Sequence, residues 1–109
     1  MPVVRILECV GRQISALGVP EPARWASACA LVNYILGVSG QNAANAQLAR
    51  SQGADRGKFL AAVANDWTQL DPALYPFTRS VAGQLREHDD REDFLAGVDL
   101  LLRGLASLA

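Results

Sequence analysis

The single histidine, His88, is followed by Asp89 and Asp90. A His-Asp pair opens some metal-dependent phosphohydrolase sites, but several more imidazoles and carboxylates are needed to hold a metal in defined geometry. With no second histidine in the chain, the triplet reads better as helix-capping acids beside a surface imidazole. Ser27, Ser39, Ser51 and Ser80 have neither a G-x-S-x-G setting nor a spare histidine as base. The stretch GQNAANA from Gly40 lacks the lysine and the preceding strand of a phosphate loop. Cys9 and Cys29 sit in apolar, helix-like contexts without CxxC spacing. Two buried thiols in a reducing cytosol explain them better than a disulfide or a metal site. The expectation is a chain that is not an enzyme, with no metal and no cofactor.

Polar residues inside apolar helices carry more information. Asn33 and Tyr34 lie on opposite sides of one helix, and Trp25, Cys29, Val32 and Leu36 run along a face next to Asn33. A buried amide or phenol left without partners costs about 1–3 kcal/mol. Either an interhelical hydrogen bond or a mostly apolar ligand pocket would satisfy them. A pocket would be lined by Trp25, Cys29, Asn33, Phe59, Val63 and Trp67, and would suit a small apolar or amphipathic effector.

These residues need helices to position them. Val3, Leu7, Val10, Ile14 and Leu17 recur at four-three spacing, which predicts a first helix stopped by Gly18 and Pro20. A second helix opens at Pro20-Glu21-Pro22 and carries no charge from Trp25 to Ala49. Its apolar half is too short to span a bilayer, so it should be buried nearly all round. Its small residues, Ala26, Ala30, Gly37, Gly40 and Ala44, would let another helix approach closely. A polar loop over 50–57, RSQGADRG, is the best place for a mobile or nicked segment. A third helix follows through Phe59, Leu60, Val63, Trp67 and Leu70, with Asp71 as N-cap and Pro72 at N1 of the next segment. Phe77, Val81 and Leu85 mark a fourth helix, and Asp89 caps a fifth with Glu92 at its third position. No segment alternates with period two, so the expected fold is an all-α antiparallel bundle of about five helices, one domain over 1–109.

The chain has 109 residues, half of them hydrophobic, and a net charge of −1. That suffices for one core, and no basic patch favours gripping nucleic acid. No signal peptide is visible, which points to a cytoplasmic protein. The last helix has an unusual face. Phe94, Val98, Leu101, Leu105 and Leu108 form one seam, flanked by Leu95 and Leu102 on one side and by Gly97, Leu100 and Gly104 on the other. This apolar-or-small arc covers about 220°, twice what a helix on one core needs. Asp99 and Arg103 mark its wet face as an i,i+4 pair. A second copy of the chain is the expected cover. The interface would use Gly37, Gly40 and Ala44 with Gly97, Leu100, Leu101, Gly104 and Leu108.

The ending DDREDFLAGVDLLLRGL resembles the final helix of tetracycline-repressor (TetR) family regulators. LDPALYPFTRSVAGQL resembles the Tyr-Pro segment just upstream in that family, and RILECVGRQISALGVPEPARWASACALVNYILGVSGQNAA resembles its preceding helix pair. The resemblance implies a ligand-sensing and dimerisation domain. The central and last helices would then form a four-helix bundle with their copies, and effector binding would govern the spacing of two DNA-reading heads. No helix-turn-helix segment is present in these residues, so DNA would be met only through a missing N-terminal domain of a longer regulator, of which this would be a C-terminal fragment. The abrupt helical start at Pro2 agrees with that expectation. The competing readings are a stand-alone helical protein–protein interaction module and a small helical enzyme, the latter without visible groups.

Overall fold

The computed structural model describes residues 2–51 and 56–109. Over these residues the chain is all-α, with helices α1 (Pro2–Ala16), α2 (Glu21–Ser51), α3 (Arg56–Thr68), α4 (Pro76–Ser80), α5 (Ala82–Glu87) and α6 (Asp90–Ala106). The all-α expectation holds. Of the loop expected over 50–57, residues 52–55 lie outside the described residues, while Arg50, Ser51, Arg56 and Gly57 are helical.

The end of α1 follows directly from its sequence. Gly18 takes a φ of +82°, open to glycine and strained for other residues. Gly18 N–H donates to Ser15 O at 3.0 Å and Val19 N–H to Ile14 O at 3.4 Å. This is a Schellman closure, in which the residues at each end of the longer bond normally bring their side chains together. Here those residues, Ile14 and Val19, are the largest fully buried side chains described. Pro20 then leads into α2, with Ala23 N–H donating to Pro20 O.

Several sequence expectations change. Cys9 is exposed and Cys29 half-buried, where two buried thiols were expected, and the last helix ends at Ala106, short of Leu108. The expected fourth helix is two, α4 and α5, interrupted at Val81, whose φ and ψ are −103° and 5°. The Ser80 hydroxyl and the Val81 N–H both donate to Phe77 O, and such side-chain competition for a carbonyl loosens a helix. Asp71 caps a single turn instead of a helix. Its Oδ1 accepts from Ala73 N–H at 2.8 Å, and its carbonyl accepts from Leu74 and Tyr75. Pro76 holds Tyr75 out of helical backbone, so that turn cannot run on into α4. Finally, α2 is buried on one face only. Ser27, Ala28, Leu31 and Val32 are buried, while Ala26, Ala30, Asn33, Gly37 and Gly40 are exposed, because α1 and α6 supply apolar partners on one side alone.

The chain divides into two compact units. Residues Met1–Gln41 with Asp93–Ala109 form the first, whose core joins Val10, Ile14, Val19, Ala28, Leu31 and Val32, with Leu101, Leu102 and Leu105 of α6 laid against it. Residues Asn42–Glu92 form the second, in which α3 packs on α5 and buries Leu60, Ala64 and Ala82. At the end of the second unit Asp89 caps α6 as expected, its Oδ2 accepting from Glu92 N–H at 3.0 Å.

Candidate functional site

The residues expected to line a pocket fall in different places. Trp25, Cys29 and Asn33 lie on the part of α2 in the first unit; Phe59, Val63 and Trp67 lie on α3 in the second. Trp25 is 71% exposed. Cys29, Phe59, Val63 and Trp67 are half-buried, and Asn33 is exposed. Asn33 can therefore meet its hydrogen bonds with water and needs no buried partner. Tyr34 meets its own inside the chain: the hydroxyl donates to Phe94 O at 3.0 Å, and the two rings stack at 5.7 Å and 11°. Of the two readings left open for Tyr34, the interhelical hydrogen bond describes it.

His88 belongs to a polar cluster in the second unit. Arg56 Nη2 donates to Asp90 Oδ1 at 3.0 Å and lies 3.4 Å from His88 Nε2. His88 Nδ1 is 3.6 Å from the same Asp90 oxygen. The cluster ties the start of α3 to the start of α6. Among the described residues no group of three or more His, Cys, Asp or Glu is placed to hold a metal ion.

Two concave regions in the first unit do include polar atoms. A groove of about 540 Å³ between α1 and α2 is bounded by Leu7, Glu8, Arg12, Ser15, Arg24 and Trp25 among others. A second, of about 340 Å³ and almost wholly apolar, is bounded by Cys9, Gln13, Leu17, Ile35, Val98 and Leu102 among others. Of the residues bordering these two regions, Trp25 is among those that periodicity suggested for a pocket, whereas Arg24, Gln13 and Ile35 are not. Arg24 is placed by its Nε–H donating to Val19 O at 3.0 Å, a consequence of the Gly18 turn that no helical repeat announces.

The expected interface residues divide by exposure. Gly37, Gly40, Ala44 and Gly104 are exposed, and a Cβ on Gly37, Gly40 or Gly104 would meet nothing within 4 Å. Leu100 is 72% exposed and Leu108 is 47% exposed. Leu101 instead lies half-buried against the chain's own core. At Gly97 a Cβ would overlap the Tyr34 hydroxyl and ring, so glycine there has a reason within one chain. On the wet face, Arg103 Nε–H donates to Asp99 Oδ2 at 2.8 Å, as the i,i+4 spacing predicts.

No family model matches the sequence. No curated protein matches it. Among solved structures, a TetR transcriptional regulator from Streptomyces coelicolor is 53% identical with a TM-score of 0.83, covering 95% of this chain. This likeness supports the TetR family. The fold is accordingly TetR-like as well as all-α. The chain spans 47% of that regulator's length. Among the described residues no helix is long and apolar enough to cross a membrane, the 31-residue α2 included.

Proposed function

We propose that these residues are the effector-sensing and dimerisation domain, over 1–109, of a TetR-like transcriptional repressor. The observation that carries this reading is the 53% identity to a TetR regulator across nearly the whole chain, which accounts for about half of that protein. The rest of a regulator of that length has room for a DNA-reading head, and an effector bound to this domain would select one arrangement of two such heads over another. Self-association is the part testable on this chain. α2 presents an uncharged strip of Ala26, Ala30, Gly37, Gly40 and Ala44, and α6 presents Leu100 and Gly104, with Leu108 in the turn that follows it. Small residues allow backbones to approach, and an exposed leucine beside them gains by being covered. In the proposed homodimer these two strips and their copies make a four-helix bundle burying about 1,500 Å² or more.

Sedimentation velocity at micromolar concentration tests it. The wild-type chain is expected to sediment as a dimer, and Leu100→Arg as a monomer with its helical circular dichroism intact. A wild-type chain that stays monomeric would sink the dimerisation reading. A Leu100→Arg variant that remains dimeric would remove α6 from the interface.

A further inference from the structure

The groove between α1 and α2 is bordered by Arg24, which the fold engages through Nε alone, and by the largely exposed Trp25. Trp25 is the most exposed large aromatic but one, at 71%, and no ring-stacking partner is found for it among the described residues. Arg24 beside it is not free to wander, because its Nε–H is held by Val19 O at 3.0 Å. The position of Val19 is itself set by the Schellman closure and by its complete burial. The guanidinium is therefore anchored through Nε, while Nη1 and Nη2 donate to no group of the described residues. Two parallel N–H donors on a held guanidinium match the two oxygens of a carboxylate.

Charge in the groove points the same way. Glu8 and Arg12 also border it, but they pair with each other at 3.3 Å. The unopposed charge is that of Arg24. Leu7 and Trp25 supply the apolar surface that borders it, and Ser15 adds a hydroxyl. The groove measures about 540 Å³ and is open to solvent, so a ligand would lie along it partly exposed. We propose that this groove binds a small amphipathic carboxylate, with the acid on the terminal nitrogens of Arg24 and the apolar body against Trp25. The proposal stands on the groove alone and does not require the chain to dimerise.

Titration of the ¹⁵N-labelled 109-residue chain with 1-naphthoate and with its neutral counterpart, 1-naphthamide, tests the site. Naphthoate is expected to shift the Trp25 indole N–H and the Arg24 Nε–H saturably, and to bind at least about tenfold more tightly than the amide, a difference of about 1.4 kcal/mol. Arg24→Gln should bring naphthoate down to the level of the amide with helical circular dichroism unchanged. Absence of saturation up to about 1 mM, equal binding of acid and amide to the wild-type chain, or shifts centred on Trp67 would each overturn the proposal. The acid-to-amide comparison uses unaltered protein, so it decides even where Arg24→Gln fails to fold. The oligomeric state is read separately by sedimentation, so loss of the site and loss of the dimer are distinguishable.

Discussion

The hydroxyl of Tyr34 occupies the space that a Cβ on residue 97 would need, and it donates to the α6 carbonyl of Phe94 from there. Glycine at 97 is thus the condition for this hydrogen bond, and the Tyr34–Phe94 stack holds the phenol in place. Gly97→Ala is expected to push the ring away and lower stability by about 1–3 kcal/mol, seen as a lower urea midpoint. Tyr34→Phe keeps the stack and removes only the hydrogen bond, so its cost should be smaller, about 0.5–1.5 kcal/mol. The surface pair Arg103–Asp99 is a contrasting case. Its side chains are 78% and 57% exposed, and after solvent screening such a pair contributes no more than about 0.5 kcal/mol.

At the scale of elements, the ends of helices are better specified than their middles. Gly18 terminates α1 with a positive φ, and the Val19 behind it completes the core under Ile14. An alanine at 18 would meet a left-handed backbone penalty of about 1–2 kcal/mol. It would also set its Cβ 3.3 Å from that of Ala109. Thermal unfolding of Gly18→Ala should therefore show a lower midpoint, and an unchanged one would mean the turn has relaxed to another form. Asp89→Ala removes the acceptor of the Glu92 N–H, with an expected loss of about 0.5–2 kcal/mol by the same measurement. The α4–α5 break shows the opposite situation. A sequence periodic through Phe77, Val81 and Leu85 was interrupted by a local contest for one carbonyl.

At the scale of the whole molecule, α6 separates two demands that look alike along the sequence. Leu100 and Leu101 are neighbours, yet one is 72% exposed and the other lies against the chain's own core. Leu101→Arg is therefore expected to destabilise the fold itself, by about 2 kcal/mol or more, because it brings an unpaired charge to a half-buried position. Chemical denaturation would register that loss, whereas Leu100→Arg should leave folding stability of the monomer nearly unchanged. A reversal of the two outcomes would place the interface on the other side of α6.

The sequence by itself determined the all-α class, the limits of α1, the Asp89 cap and the Asp99–Arg103 pair. Each depends on residues within about one or two helical turns of one another, where spacing and backbone preference decide. The tertiary structure alone decided which flank of an apolar arc meets the chain's own core, why position 97 is glycine, and where Arg24 is held. It also set Trp25, Cys29 and Asn33 in one unit and Phe59, Val63 and Trp67 in another. Periodicity states that a helix has a greasy side, but the partner of that side lies tens of residues away. Tyr34 and Phe94 are 60 positions apart, and only the path of the chain between them brings a phenol over a glycine.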